Sequence, residues 1–384
     1  MGKSVVLLGA GASVEAGLPT AVVLPDKLLA FALAQGKQTY ARAIKYTLHR
    51  LAAHHAISKG AVGSQLVDIE ELGDALEQIA NRKNSVLSPF VNTWDSGLDA
   101  LELKAIMDCA PMVGRVFPDA VATEEMHVDL RSVPILRALY DNSDLFGNFF
   151  RNVFFWTSGS LRKLLAIPES AELSYLQLLT SWAYNRGAPI VNLNYDRAIE
   201  IACGKAGISV DTGMTAWNQA RRVTFSPSKL PLLKLHGSLD WQLIYSEVKS
   251  AHVTIETLGD YNEQYDNPES PFPFSPAIIF GRQGKLNETG PFLVLYSKFR
   301  DLLEDAEELI VVGYSFRDPH INRLIADWIG REKNGKVTII DPSDPTDQIR
   351  EPGGNHDIYS IRSRRTLLQR GAAEGIREFI NTAS

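Results

Sequence analysis

The sequence is poor in the features that staple or anchor a chain. It holds only two cysteines in 384 residues, Cys109 and Cys203, too few for a disulfide framework or a four-thiolate zinc site. No apolar run reaches the length of a bilayer span. The opening residues lack the charged region, apolar segment and cleavage site of a secretory leader. No membrane association and a reducing, cytoplasmic setting are therefore expected. Neither sign of charge dominates: 39 Lys and Arg against 45 Asp and Glu leave a net charge of −6, which gives no global attraction to nucleic acid. What is present is a hydrophobic fraction of 45%, enough for a sizeable core in one large domain with an insert or in two domains.

Apolar runs ending in glycine or a polar residue recur along the chain. They are Val5-Val6-Leu7-Leu8 before Gly9, Pro189-Ile190-Val191 before Asn192, and Leu232-Leu233-Lys234-Leu235 before His236. Three more are Ala277-Ile278-Ile279-Phe280 before Gly281, Leu309-Ile310-Val311-Val312 before Gly313, and Val337-Thr338-Ile339-Ile340 before Asp341. Unbroken runs of this kind read as strands buried on both faces of a parallel sheet. Helical patterns lie between several of them, as at Phe299 to Ala306 and Ile321 to Ile329. The expected fold is α/β: a Rossmann-like parallel sheet with helices on both faces and a ligand site at the carboxyl ends of its strands.

The gap after the first strand far exceeds an ordinary crossover and is mostly helical in pattern. Ile69, Leu72, Leu76 and Ile79 fall on one helical face, and Phe146 to Leu165 and Tyr175 to Tyr184 are similar. This predicts a Rossmann-type domain from residues 1–30 and 186–384, with a large helical insertion at 31–185 offering surface for assembly. Ser250 to Pro276, rich in Tyr, Pro, Asn and acidic residues, reads as a long loop or lid.

The first strand runs into Gly9-Ala10-Gly11-Ala12-Ser13, and a short helical stretch then ends at Gly17-Leu18-Pro19. Glycine here can take positive φ and let the backbone approach a pyrophosphate. The N-terminus of the following helix would supply unpaired N–H groups, with Ser13 as its cap or as a phosphate contact. A tight turn with no ligand fits the same residues. The stretch is not a P-loop, because no Gly-Lys-Ser/Thr follows. Val14 stands where the usual dinucleotide fingerprint has its third glycine.

Three later strand ends carry distinctive polar groups: Asn192-Leu193-Asn194-Tyr195-Asp196, His236-Gly237-Ser238 and Gly313-Tyr314-Ser315. Together with the opening glycine turn, this ordered set resembles the sirtuin (SIR2) superfamily over roughly the first 20 residues and residues 187–345. The stretch "GYSFRDPHIN" and the helical insert are most similar to bacterial SIR2-like NAD-consuming proteins of antiphage defence, in particular the SIR2 protein paired with a HerA-type ATPase. The chain departs from the deacylase sirtuins in three ways. It lacks the four cysteines of their zinc ribbon, Thr20-Ala21-Val22 stands where Asp-Phe-Arg is usual, and Leu193 replaces the usual Gln.

The resemblance implies NAD as substrate and no zinc. Cleaving NAD at the nicotinamide–ribose bond expels a neutral amine, so the difficulty lies in the oxocarbenium-like ribose centre. Asn194, with both donor and acceptor, can orient a water or a ribose hydroxyl. His236 can accept a proton near neutral pH. Asp196 can hold the carboxamide or simply brace a turn. Gly9, Ala10, Gly11, Ser13, Pro19, Gly313 and Ser315 are the expected cofactor-binding set, with Asp341 as a ribose-binding acid. Asn194 and His236 are expected at solvent-facing strand ends. His320 is expected to pin a loop, and His54 and His55 to be solvated. Arg362, Arg364, Arg365 and Arg370 form the most basic stretch, a solvated face or a partner or nucleic-acid contact.

The leading expectation is an NAD glycohydrolase yielding nicotinamide and ADP-ribose, in a homo-oligomer with a HerA-like ATPase partner. A deacylase or ADP-ribosyltransferase and a non-catalytic nucleotide-binding subunit are the alternatives.

Overall fold

The computed structural model describes residues 3–59, 67–88, 95–98, 100–102, 104, 149–245, 253–258, 276–281, 290–331, 335–347 and 361–383. The chain divides into two compact units, Met1–Ala21 with Leu161–Ser384, and Val22–Ser160.

The first unit is built on seven strands: β1 (Ser4–Leu8), β2 (Ile190–Asn192), β3 (Val210–Asp211), β4 (Leu230–Lys234), β7 (Glu308–Val312), β8 (Lys336–Ile340) and β9 (Arg365–Leu368). Every pairing is parallel, in the order β3-β4-β2-β1-β7-β8-β9. Side chains alternate between the faces of a strand, and the core divides accordingly. Val5, Leu7, Leu233, Leu309, Val311 and Ile339 point to one face. Val6, Leu8, Leu232, Ile310, Val312 and Ile340 point to the other.

Helix α8 (Phe292–Glu304) covers the first face with Phe292, Leu295 and Phe299, and α9 (Pro319–Arg331) adds Ile321, Ile325 and Trp328. The second face packs against α5 (Ser174–Arg186), α6 (Ala198–Lys205) and α10 (Ala372–Ala383). Central strands buried on both faces explain the unbroken apolar runs. Each such side chain contributes about 1.5–3 kcal/mol by leaving water.

The register aligns the strand ends. Lys234, Asn192, Leu8, Val312, Ile340 and Leu368 form one row across the sheet. From β1 the chain passes to β2 on one side and later returns to β7 on the other. The order therefore reverses between β1 and β7, where open α/β sheets form their ligand crevice.

Three expectations fail here. Ala277–Phe280 is no sheet strand: only Ile278 pairs, in an isolated antiparallel bridge to Gly237. The segment bonds instead to the turn after β4, with Ser238 N–H donating to the Ala277 carbonyl and Ile279 N–H to that of His236. A short apolar run does not distinguish buried coil from buried strand. Within the expected loop Ser250 to Pro276, Val253–Thr257 is a strand, β6, paired antiparallel with β5 (Trp241–Tyr245). Its Val-Thr-Ile-Glu-Thr alternation buries Val253 and Ile255. Residues 259–275 of that stretch lie outside the described residues. Lastly, the glycine turn opens no α-helix. A four-residue 3-10 helix, Ala10–Ser13, gives way to turns through Gly17, whose φ of 88° ends any right-handed coil.

The second unit is helical: α1 (Leu24–Ala34), α2 (Gln38–Lys59), α3 (Ile69–Asn81) and the part of α4 (Phe149–Leu164) up to Ser160. Asp68 caps α3 by accepting the Glu71 N–H at 2.8 Å, and Ile69, Leu72 and Leu76 are buried. Phe31 stacks on Trp156 with centroids 5.8 Å apart, and Tyr40 meets Trp156 edge-on. His54 is exposed, but His55 is not solvated. Its Nε2 lies 2.5 Å from Glu71 Oε1, a contact between helices that sequence spacing does not reveal. Helix α5, within the stretch read as insertion, packs on α6 and α10 in the first unit.

Candidate active site at the strand ends

Just past the aligned row lie Gly9, Gly313 and Asp341, one residue beyond β1, β7 and β8, and Asn194 and His236, two residues beyond β2 and β4. The fold thus brings the expected residues of five strand ends to one edge of the sheet.

At the β1–β7 junction two turns interlock by their backbones. Gly9 N–H donates to the Val312 carbonyl at 3.0 Å, and Gly11 N–H to that of Gly313 at 2.9 Å. A Cβ on Gly9 would lie 2.6 Å from the Gly313 oxygen, and one on Gly313, whose φ is +60°, would lie 2.3 Å from the Ala12 nitrogen. The glycines are thus demanded by the neighbouring turn, before any ligand is considered. Among the N–H groups of residues 9–12, that of the exposed Ala10 alone has no partner among the described residues. Pro19 is half-buried in the chain beyond Gly17.

Asn194 is half-buried and clamped to this turn. Its Nδ2 donates to the Gly9 carbonyl at 2.9 Å and to Ser13 Oγ at 3.1 Å, while its backbone N–H donates to Asn192 Oδ1 at 3.0 Å. Both amide hydrogens are thereby used, so the amide orientation is set. Oδ1 is left as an acceptor with no protein partner among the described residues. Ser13 is buried, and its hydroxyl oxygen serves Asn194.

Asp196 is buried, and its Oδ1 accepts the Ala198 N–H at 2.9 Å at the start of α6. That bond is the turn-bracing role. Tyr175 donates to the Ala12 carbonyl at 2.7 Å, and burial, with Glu15 and Asp196 nearby, pushes its phenol well above the usual range.

His236 is not at a solvent-facing position: only 3% of it is exposed. Its Nε2 lies 3.2 Å from Asp318 Oδ2 and 3.2 Å from the Tyr296 hydroxyl. Asp318, 4% exposed, also accepts the His320 N–H on Oδ1 at 2.9 Å, holding the first turn of α9. A carboxylate accepts, so Nε2 is placed to donate to Asp318. The stretch "GYSFRDPHIN" is a hydrogen-bonded knot around this carboxylate. The Tyr314 hydroxyl bonds to Asn322 Oδ1 at 3.0 Å, and Asn322 Nδ2 to the Phe316 carbonyl at 2.7 Å. Exposed His320 contributes its backbone N–H to this knot.

On the far side of the junction Ser315 is exposed, and Asp341 makes a local turn, its Oδ1 accepting from Ser343 N–H at 3.0 Å and Oγ at 3.1 Å. The basic stretch is largely paired within the chain. Arg365 binds Asp344, Arg362 bonds to Thr346, and Arg370 lies 3.0 Å from Glu374. Cys203 is a free, buried thiol that burial pushes up to about 12, so it is inert. Cys109 lies outside the described residues. Among the described residues no group of three or more His, Cys, Asp or Glu is placed to hold a metal ion. No helix among them is long and apolar enough to cross a membrane.

Sequence reasoning missed Asp318, Tyr296 and Lys234. Asp318 was legible as a helix N-cap before Pro319, though its bond to His236 was not. Lys234 stood out as a charge inside an apolar run. Tyr296 gave no signal.

Residues 189–362 match the model of the SIR2-like domain. No curated protein matches the chain. Among solved structures, Sir2Tm bound to a propionylated peptide is similar at 13% identity over 99% of this chain and 93% of that one, with a TM-score of 0.39. A mutant Sir2 homologue in complex with ADP-ribose is similar at 13% identity over 99% and 91%, with a TM-score of 0.43. Sir2 with a p53 peptide and NAD+ is similar at 15% identity over 69% and 88%, with a TM-score of 0.37. The glycine turn lies outside the matched residues and joins them through the Asn194 amide.

Proposed function

We propose that this chain, with a SIR2-like domain across 189–362, is an NAD glycohydrolase that releases nicotinamide and ADP-ribose. The observation that carries the proposal is the pairing of Asn194, its amide fixed on the Gly9 turn, with His236, its Nε2 held by Asp318. The bond between ribose C1′ and the pyridinium nitrogen breaks, and its electron pair stays with the departing neutral nicotinamide. Water oxygen bonds to C1′, and its proton passes to His236 Nδ1. Asn194 Oδ1 orients that water or a ribose hydroxyl without adding charge. The Ala10 N–H, unpaired among the described residues, and the exposed Ser315 hydroxyl are donors offered to the phosphates, and Asp341 is the acid for a ribose hydroxyl.

The finer setting follows the sequence resemblance. The chain depletes NAD in antiphage defence as a homo-oligomer with a HerA-type ATPase. The residues favour no transfer to a protein: Leu193 and Thr20-Ala21-Val22 stand where deacylase sirtuins have other groups.

The test is incubation of the full chain with NAD, with and without a HerA-type ATPase, followed by separation of products. Nicotinamide and ADP-ribose in equal amounts, lost in Asn194→Ala, are expected. Transfer of ADP-ribose to protein, or no turnover under either condition, would overturn the proposal.

A further inference from the structure

Lys234 is fully buried at the end of β4, in register with Asn192. Its ammonium has three hydrogens and three short acceptors: the Asp196 carbonyl at 2.6 Å, Ser238 Oγ at 2.7 Å and Glu200 Oε1 at 2.8 Å. The Tyr195 carbonyl lies 3.4 Å away and also accepts the Leu239 N–H at 3.1 Å. The Ser238 hydroxyl spends its own hydrogen on Asp240 Oδ1 at 2.5 Å, and Asp240 Oδ2 lies 3.1 Å from Arg197 Nε.

One cation therefore ties three pieces together. The first is the turn carrying Asn194, the second is the turn carrying His236, and the third is helix α6 through Glu200. Stability alone is a weak reason for this arrangement. Desolvating an ammonium and a carboxylate is costly, and well-packed apolar residues of similar volume often serve as well or better. The surrounding row shows what that alternative looks like, since Leu8, Val312 and Ile340 occupy the equivalent ends of β1, β7 and β8. Only β2 and β4, whose following turns carry Asn194 and His236, end in Asn192 and Lys234.

We infer that Lys234 is a positioning residue that holds the Asn194 and His236 turns in mutual register. Its catalytic consequence rests on the NAD glycohydrolase proposed above; its structural consequence does not. The coupling runs through carbonyls 195 and 196 on one turn and Ser238 on the other. Losing it loosens both turns, while the backbone interlock of the glycine turn with Gly313 keeps its own bonds.

The test compares the full-length wild type with Lys234→Met/Glu200→Leu, which removes both charges together, and with Ser238→Ala, which removes one acceptor. Amide hydrogen exchange is read at Asn194 and Leu239, whose N–H groups bond within and between the two turns, and at Leu309 and Val311 in β7 as controls. Protection is expected to fall by about tenfold or more at Asn194 and Leu239 in the double variant and by about threefold at Leu239 in Ser238→Ala, with β7 unchanged. In turnover, kcat is expected to fall by about thirtyfold with KM for NAD within about threefold. Unchanged protection at both amides, or a loss shared equally by β7 with kcat retained, would overturn the inference. If the double variant does not fold, the Ser238→Ala exchange decides. A wild type that releases no nicotinamide defeats the activity reading, while the exchange result still decides the role of Lys234.

Discussion

The strand ends on the two sides of the β1–β7 junction are built from different materials. On the β2–β4 side the polar groups are buried and cross-bonded: Lys234, His236, Asp196, Ser238 and Asp240 are each at most 4% exposed. On the β7–β8 side Ser315 is exposed and Asp341 half-buried, and the side-chain bonds of Asp341 stay within its own turn. Burying polar groups costs several kcal/mol unless each is satisfied, so a cluster of them fixes orientation. Exposed groups with local bonds add contact without defining geometry. Under the proposed NAD glycohydrolase, chemistry falls to the β2–β4 side and substrate holding to the β7–β8 side.

The sharpest way to break that division is at His236. Alanine is the wrong probe, because it would leave a cavity and strand the Asp318 carboxylate. His236→Gln keeps a donor towards Asp318 but has no titratable nitrogen, and should lower kcat by about 10²–10⁴ while leaving the melting temperature nearly unchanged. Asp318→Asn is expected to match it. The side-chain oxygen stays with the N–H groups at the start of α9, so the amide NH₂ faces Nε2 and forces the proton onto Nδ1. An aspartate-to-asparagine change of this type costs about 10⁴ in the serine protease triad. Should the Asp318→Asn chain, folded and binding NAD, turn over like wild type, His236 is not the base.

A smaller effect separates the glycine turn from both sides. Gly313→Ala must push apart the Gly11–Ala12 backbone and hold a left-handed φ, a combined cost of about 2–5 kcal/mol. Gly17→Ala carries the left-handed strain alone, about 1–2 kcal/mol, since nothing lies within 4 Å of the added carbon. Thermal melts should rank them in that order. Equal losses would mean that the two turns do not depend on their interlock.

How much of this was legible follows from the kind of signal each residue leaves. The β1, β2, β4, β7 and β8 runs and the residues at their ends could be read because strands buried on both faces write continuous apolar stretches that stop at the ligand edge. The two-residue β3 and the short β9, which contains Arg365, write no such run. The Asp318–His236 bond joins residues 82 apart, and the Lys234 network joins side chains from three elements. Neither spacing repeats, so only the fold brings them together. The glycine turn was found for one reason and is explained first by another: a close backbone approach was expected, but its partner is the Gly313 turn.

The smallest expected effect tests the substrate-holding side. Ser315→Ala removes one exposed hydroxyl, and Asp341→Ala removes a carboxylate whose Oδ1 braces Ser343. Neither substitution opens a core cavity. A lost hydrogen bond to a bound phosphate or ribose is worth about 0.5–1.5 kcal/mol, so each variant should raise KM for NAD by about two- to tenfold. Because the interaction is made equally in ground and transition states, kcat should stay near wild type. A fall in kcat with KM unchanged at either position would place chemistry on the β7–β8 side and undo the division between the two. An unchanged KM in both variants would remove Ser315 and Asp341 from the substrate site and leave phosphate contact to the Ala10 N–H.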